Sequence, residues 1–221
     1  MTTVLEKPRP RTTRAITTPP SFTEKKPLPR GRITEQEFIQ WCDEDTWAEW
    51  VDGEIIPMAP IALDHADCFT LLICVMNACA EEQDQGKVLS EPYQIRLGGM
   101  QRRRSPDLFF VSRSRLGLLQ RLEFDGAPDL IVEIVSPEST SRDWRVKFHE
   151  YEAAGVREHW IVDPQSQVLE AYALTRGKYK LIPLKSGKRH SSVLKGFALK
   201  PGWLWKRPLP KVSAILKELN K

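Results

Sequence analysis

Asp129-Leu130-Ile131-Val132-Glu133-Ile134-Val135-Ser136-Pro137 is an apolar run with a carboxylate at its middle. β-Branched residues dominate it and Pro137 closes it, so the run reads as a buried central strand rather than a helix. Side chains alternate along a strand, which places Ile131, Glu133 and Val135 on one face and Leu130, Val132 and Ile134 on the other. An ionised carboxylate alone in such a strand costs several kcal/mol unless it is paired, protonated or bound to a metal. Glu133 is therefore either the neutralised partner of a structural Lys or Arg, or part of a site.

On its C-terminal side, Ser139, Thr140 or Ser141 can cap a helix over residues 142–154, which Gly155 ends. Trp144, Phe148 and Tyr151 form its buried stripe, and Lys147 lies at the edge of that stripe, about 60° from its centre at about 100° per residue. From there Lys147 can bury its stem and bring its ammonium toward a site. On the N-terminal side, beyond a loop over residues 113–126, Ser105-Pro106-Asp107-Leu108-Phe109-Phe110-Val111 is a second apolar strand that opens with a carboxylate. Three consecutive arginines, Arg102, Arg103 and Arg104, run into it.

Farther out, Thr34 and Glu37 make a capping box for a short helix over residues 35–41. Asp52-Gly53 joins two strands, 47–51 and 54–58, as a hairpin turn. Phe69, Leu72, Ile73, Met76 and Ala80 recur at helical spacing over residues 62–85, with Asp64, His65 and Asp67 in the first turns. Short strands are expected at 87–89 and 93–97, then at 157–163, 168–174 and 178–183, with a terminal helix over 212–219. Trp203 and Trp205 are read as docking on the core rather than stacking on bases. Cys68, Cys74 and Cys79 fall in the long helix as small core hydrophobes, and with Cys42 they show no C-x-x-C spacing, so neither zinc nor a disulfide framework is expected.

The 221 residues suffice for one substantial domain, and 41% hydrophobic with 28% charged residues is ordinary for a globular protein. The first 32 residues hold six prolines and 8 Lys/Arg against 2 Asp/Glu, the composition of a disordered basic arm outside the fold. A folded domain over residues 33–205 and a basic tail or short helix over 206–221 follow. The net charge of +4 conceals a division: +6 over residues 1–32, −14 over 33–174 and +12 over 175–221. An acidic centre suits a metal site, and basic flanks suit a polyanion such as nucleic acid. With no apolar leader at the N-terminus and no uninterrupted apolar run longer than residues 71–76, a cytoplasmic protein without a membrane span is expected.

Asp107 and Glu133 are 26 positions apart with a loop between them, which allows neighbouring strands. Two carboxylates converging there form an oxygen ligand set suited to Mg²⁺ or Mn²⁺. Such an ion polarises a phosphate and lowers the pKa of an attacking water. A nearby lysine, with Lys147 the candidate, compensates transition-state charge.

Pro106-Asp107-Leu108, the block from Pro128 through Thr140, Arg142-Asp143, Lys147, Tyr151, Ala154-Gly155-Val156, Glu158 and Trp160-Ile161-Val162-Asp163-Pro164 resemble the Uma family of restriction endonucleases in the PD-(D/E)XK nuclease superfamily. Val51-Asp52-Gly53-Glu54 and His65 resemble it too, so the likeness spans roughly residues 33–200. It implies an α/β (α+β) restriction-endonuclease-like fold, a mixed β-sheet flanked by helices. It further implies a metal-dependent phosphodiesterase centre with Asp107 and Glu133 as ligands, and Glu54 and His65 as candidate auxiliary residues. The superfamily pattern puts a lysine two residues after the second carboxylate, where this chain has Val135. Uma-like sequences take it from the following helix, which corresponds to Lys147.

The expected function is Mg²⁺- or Mn²⁺-dependent endonuclease action on DNA, with Arg102, Arg103 and Arg104 on phosphates and a homodimer as a means of cutting two strands. Two other readings stand beside it: a nucleic-acid-binding module on the same fold that does not cleave, and an oligomeric scaffold in which Glu133 is the structural partner of Lys147.

Overall fold

The strongest local signals of the sequence become elements close to their expected bounds in the computed structural model, which describes residues 27–43, 46–136 and 141–220. Helix α1, Glu35–Trp41, starts at a complete capping box: Glu37 N–H donates to Thr34 Oγ1, and Thr34 N–H donates to the Glu37 carboxylate at 2.7 Å. Strands β1, Ala48–Val51, and β2, Glu54–Pro57, form the hairpin. Its turn residues Asp52 and Gly53 both take positive φ, which matches the twist of the flanking strands. Helix α2 is Leu63–Glu82. After it come β3, Gly86–Ser90, β4, Gln94–Arg96, β5, Arg102–Arg104, and β6, Leu108–Ser112.

The 113–126 segment, expected as a loop, contains a 3-10 helix, Arg113–Leu118, and strand β7, Glu123–Asp125. The quoted stretch is β8, Leu130–Ile134, followed by α3, Ser141–Ala154, and β9, Glu158–Asp163. The chain continues through β10, Val168–Thr175, β11, Lys178–Leu181, β12, Arg189–His190, β13, Ala198–Leu199, α4, Pro201–Trp205, and α5, Val212–Leu219. By its contacts the chain divides into Met1–Arg30 and Gly31–Lys221. The expected arm lies mostly outside the described residues, as do the capping candidates Ser139 and Thr140.

The folded unit has more than the single expected sheet. A six-stranded sheet runs β11-β10-β9-β8-β6-β3, a five-stranded one β2-β1-β5-β4-β7, and β12 pairs with β13. Within the larger sheet β8 and β9 are parallel, connected through α3, and the other pairs are antiparallel. The alternation expected of β8 holds. Leu130, Val132 and Ile134 join Leu72, Val75 and Met76 of α2 in the main core, while Ile131 packs with Phe109, Val111 and Tyr151 on the opposite face. On α2 the fully buried stripe is Cys68, Leu71, Leu72, Val75, Met76, Cys79 and Ala80, and Phe69 and Ile73 lie at its margin. Cys74 is exposed, which corrects the expectation that it is a core residue. At 20 residues α2 is long and apolar enough to cross a bilayer, but here its apolar side is covered by the sheet and by α4 and α5. Trp203 and Trp205 dock on this core.

Candidate active site

Two adjacent antiparallel strands bring the predicted carboxylates together. β6 and β8 pair with Leu108 opposite Val132 and Phe109 opposite Ile131, so one further step of the register sets Asp107 beside Glu133. Backbone geometry fixes Asp107, whose Oδ2 accepts from Ile134 N–H at 2.6 Å. Its other oxygen faces His65 Nε2 at 2.9 Å. Glu133 is held from α3 instead: Tyr151 Oη–H donates to Oε1 at 2.6 Å, and Lys147 Nζ donates to Oε2 at 3.3 Å. Lys147 and Tyr151 are four residues apart and so share one helix face.

Lys147 also lies 3.4 Å from Glu49 Oε1. Glu49 comes from β1, where Ala48 and Trp50 point into a small core with Phe38 and the alternation turns Glu49 the other way. Arg104 Nη1 donates to Glu49 at 2.7 Å, and Ser105 N–H at 3.0 Å. The other edge of the Arg104 guanidinium forms a two-pronged pair with Glu150, at 2.9 and 2.8 Å. This buried chain, Glu150–Arg104–Glu49–Lys147–Glu133, ties the five-stranded sheet to α3 and fixes the lysine that the fold presents to the cleft. Among the described side chains of α3, Glu150 and Tyr151 are the fully buried ones, while Trp144 and Phe148 of the expected stripe are half-buried.

The cleft encloses about 240 Å³ and is bordered by Asp107, Glu133, Lys147, His65, Glu91 and His159 among others. Its rim from Ile56 to Ile61 is apolar. Charge crowding and burial set the protonation of its groups. Burial pushes the Glu133 carboxyl up, Lys147 pulls against that rise, and the Asp107 charge adds to it. Burial opposes the ammonium of Lys147, yet Glu133 and Glu49 hold its pKa above the ordinary value. Burial and then Asp107 raise the Glu91 carboxyl to about 7. For His65 burial disfavours the charged ring, but the hydrogen bond and charge of Asp107 prevail and raise it. Burial, with Lys147 nearby, lowers His159 to about 3, so that ring is neutral over the working range.

Beside the expected pair, Asp107 and Glu133, the described residues offer a second set of candidate ligands for a divalent cation. Both Glu133 oxygens already have donors, Tyr151 and Lys147. Ligand atoms of His65, Glu91 and Asp107 all lie within 4.8 Å of one another. The 2.9 Å between His65 Nε2 and Asp107 Oδ1 matches the edge of an octahedron with bonds of about 2.1 Å, which is about 3 Å. An imidazole among carboxylates shifts the preference from Mg²⁺ toward borderline ions such as Mn²⁺.

A family model described as "Putative restriction endonuclease", Uma2, matches residues 35–202. The chain belongs to the Uma2 family. Among solved structures it is similar to a "putative nuclease belonging to DUF820" from Anabaena variabilis, with 20% sequence identity and a TM-score of 0.67 over 78% of this chain and 97% of that one. That likeness shows the fold, a mixed α/β nuclease-like architecture. No curated protein matches the sequence.

Two expectations differ from where this Uma2 structure places the residues. Glu54 is exposed at the start of β2, 3.4 Å from Arg32, and is not among the cleft residues. A carboxylate beside a tight hairpin turn points to solvent, so its place in the family pattern does not put it in the site. Arg103 and Arg104 are buried and paired, the first with Glu35 and Glu123, the second with Glu49 and Glu150. Arg102 is mostly covered and pairs with Asp52 and Glu150. Strand alternation inside a sandwich of sheet and helix turns these arginines inward, so they brace the site and do not form a phosphate-binding surface. His65, by contrast, reaches the cleft from the first turns of α2.

Sequence reasoning missed Glu49, Glu91 and Glu150. Glu49 carried the signal that singled out Glu133, a carboxylate within a short apolar strand, Ala-Glu-Trp-Val. Glu150 lies three residues from Lys147, on the same helix face. Glu91 sits between β3 and β4, where no periodicity marks which way a side chain points.

Proposed function

We propose that the protein is a divalent-metal-dependent endonuclease that hydrolyses DNA phosphodiester bonds. The observation that carries this reading is Asp107 beside Glu133 with the Lys147 ammonium 3.3 Å from the latter, in one cleft. The reaction adds a water oxygen to phosphorus, expels the sugar oxygen, and requires a proton to leave the water while negative charge gathers on the phosphoryl oxygens. Family membership supports the reaction class, and the arrangement supports the roles.

Glu133, with its carboxyl raised by burial, is the proton acceptor, and Tyr151 fixes its orientation. Lys147, held cationic by Glu133 and Glu49, compensates the charge of the pentavalent transition state. His65, Glu91 and Asp107 are the residues that would hold the ion. A cation there supplies Lewis-acid polarisation of a phosphoryl oxygen and a more acidic water. Contact with the rest of the polyanion falls to exposed lysines of the C-terminal segment that have no ion-pair partner among the described residues, such as Lys180, Lys195, Lys206 and Lys211. Cutting both strands calls for two such clefts, and hence for two copies of the chain.

Incubating supercoiled plasmid with the full chain and Mn²⁺ should give nicked and then linear DNA, and EDTA should stop it. A protein that binds DNA with a steep salt dependence but yields no metal-dependent product would replace this reading with the non-cleaving module.

A further inference from the structure

Residues 56–63 read Ile-Pro-Met-Ala-Pro-Ile-Ala-Leu, an unbroken apolar run without one polar side chain. They link the end of β2 to the first residue of α2. Such a run ordinarily goes into a core, yet none of these residues belongs to one. Met58 is half-buried and the others are exposed, Ile56 at 40%, Ile61 at 46% and Leu63 at 76%. A contiguous exposed apolar stretch marks a contact site. Pro57 and Pro60 fix φ and remove two backbone donors. Met58 N–H ties the segment to the Trp47 carbonyl at 2.9 Å, so the run is held as a stiff lip.

The position of the lip says what meets it. Ile56 through Ile61 all border the cleft, as does the half-buried Trp144 ring of α3. A protein seated on the lip would stand over the mouth of the cleft and keep substrate out, whereas a strand whose phosphate reaches Asp107 and Glu133 runs across it. The lip carries no cation for a phosphate, and the acids at its two ends, Glu54 and Asp64, pair with Arg32 and Arg207. What an apolar lip favours in a nucleic acid is the face of a base. The reacting phosphate also has to go deep, because the Asp107 and Glu133 side chains are only 9% and 12% exposed. A stacked duplex is stiff over a few base pairs, and proteins that kink one do so by pressing Ile, Leu, Met or Pro between base steps.

We propose that the lip over residues 56–63 presses against unstacked bases beside the scissile phosphate, and that the preferred substrate is DNA whose pairing is already broken at the cut, such as a duplex with an unpaired bubble. Binding to such DNA is not opposed by the cost of opening the stack. Negatively supercoiled plasmid supplies short-lived unpaired stretches of the same kind. The inference rests on the reading of the cleft as a DNA-cutting site, but its test reads binding alone.

The full chain, with Ca²⁺ to fill the carboxylates, is titrated against two labelled duplexes of equal length and sequence. One is fully paired; the other has a central unpaired bubble containing 2-aminopurine. Anisotropy gives affinity, and 2-aminopurine emission reports stacking. The wild type should bind the bubble about tenfold or more tightly than the paired duplex, and emission should rise as the base leaves its neighbours. Met58→Ser combined with Ile61→Ser should bring the affinity ratio to within about threefold and abolish the rise. Should that pair not fold, Ile61→Ser alone, at an exposed position, decides by lowering the ratio. Equal affinity of the wild type for both duplexes, binding to neither, or an undiminished bubble preference in the folded variant would overturn the proposal. A dimer that falls to monomers on substitution while the preference stands would make the lip a contact between copies and overturn it as well. A chain that prefers the bubble yet cuts no DNA with Mn²⁺ would overturn the nuclease reading and leave this one standing. Cleavage of paired DNA by a chain without bubble preference would do the reverse.

Discussion

Replacing His159 by Phe tests the electrostatics of the cleft wall through stability. The ring is 1% exposed, is packed against Phe148, Tyr151 and Tyr179 at centroid distances of 5.9, 5.2 and 5.9 Å, and titrates at about 3 against an ordinary 6.5. Between those two values the unfolded chain takes up a proton that the folded chain refuses, so stability is full above pH 6.5 and falls as the pH drops toward 3. At about 1.4 kcal/mol per pH unit, going from pH 7 to pH 4.5 should remove about 2.5 kcal/mol through this residue alone. Phe fits the aromatic surroundings and has no nitrogen to protonate. Urea unfolding of wild type and His159→Phe at both pH values isolates the effect, because all other titrating groups are shared. The variant should be at least as stable at pH 7, and its loss on acidification should be smaller by about 2.5 kcal/mol. Equal losses would refute the reasoning, since they require the ring to accept a proton inside the fold.

Arg104→Met leaves Glu49 and Glu150 without their shared guanidinium and should lower stability by about 3–5 kcal/mol in chemical denaturation; a loss under about 1 kcal/mol would show that the network is solvated. Gly86 has φ +153°, and a Cβ there would lie 2.1 Å from the Val111 carbonyl oxygen, so Gly86→Ala should cost about 2–4 kcal/mol, and a melting temperature equal to wild type would contradict the β3–β6 packing. With an imidazole in the ligand set, cleavage at equal ion concentration should be faster with Mn²⁺ than with Mg²⁺, and the reverse order would argue for an all-oxygen site.

The fold was legible wherever a local rule had no competitor. The Thr34–Glu37 box, the Asp52-Gly53 turn and the two faces of β8 each follow from a single local rule, and each appears as expected. The buried stripe of α2 is broader than its large side chains suggested, because Cys68 and Cys79 join the core while Phe69 and Ile73 are left at its margin. Within residues 113–126, β7 pairs in parallel with β4, a long-range partnership with no signal in its own three residues. In the site, β8 disclosed Glu133 because the carboxylate interrupts an apolar run. Three adjacent arginines disclosed nothing of the kind: they read as a surface, whereas the fold supplies Asp52, Glu35, Glu123, Glu49 and Glu150 to receive them. Those acids come from α1, α3, β1, β7 and the turn between β1 and β2, and only the tertiary structure brings them within reach.

The central claim is that the carboxylate in the middle of β8 does chemistry. The direct measurement is the single-turnover rate of plasmid nicking with Mn²⁺ by wild type and by Glu133→Gln, with both shown to be folded by circular dichroism. If Glu133 takes the proton of the attacking water, the amide should cost a factor of about 10² or more, the usual worth of a positioned general base. Equal cleavage by the two proteins would contradict the account and return Glu133 to the role of structural partner to Lys147.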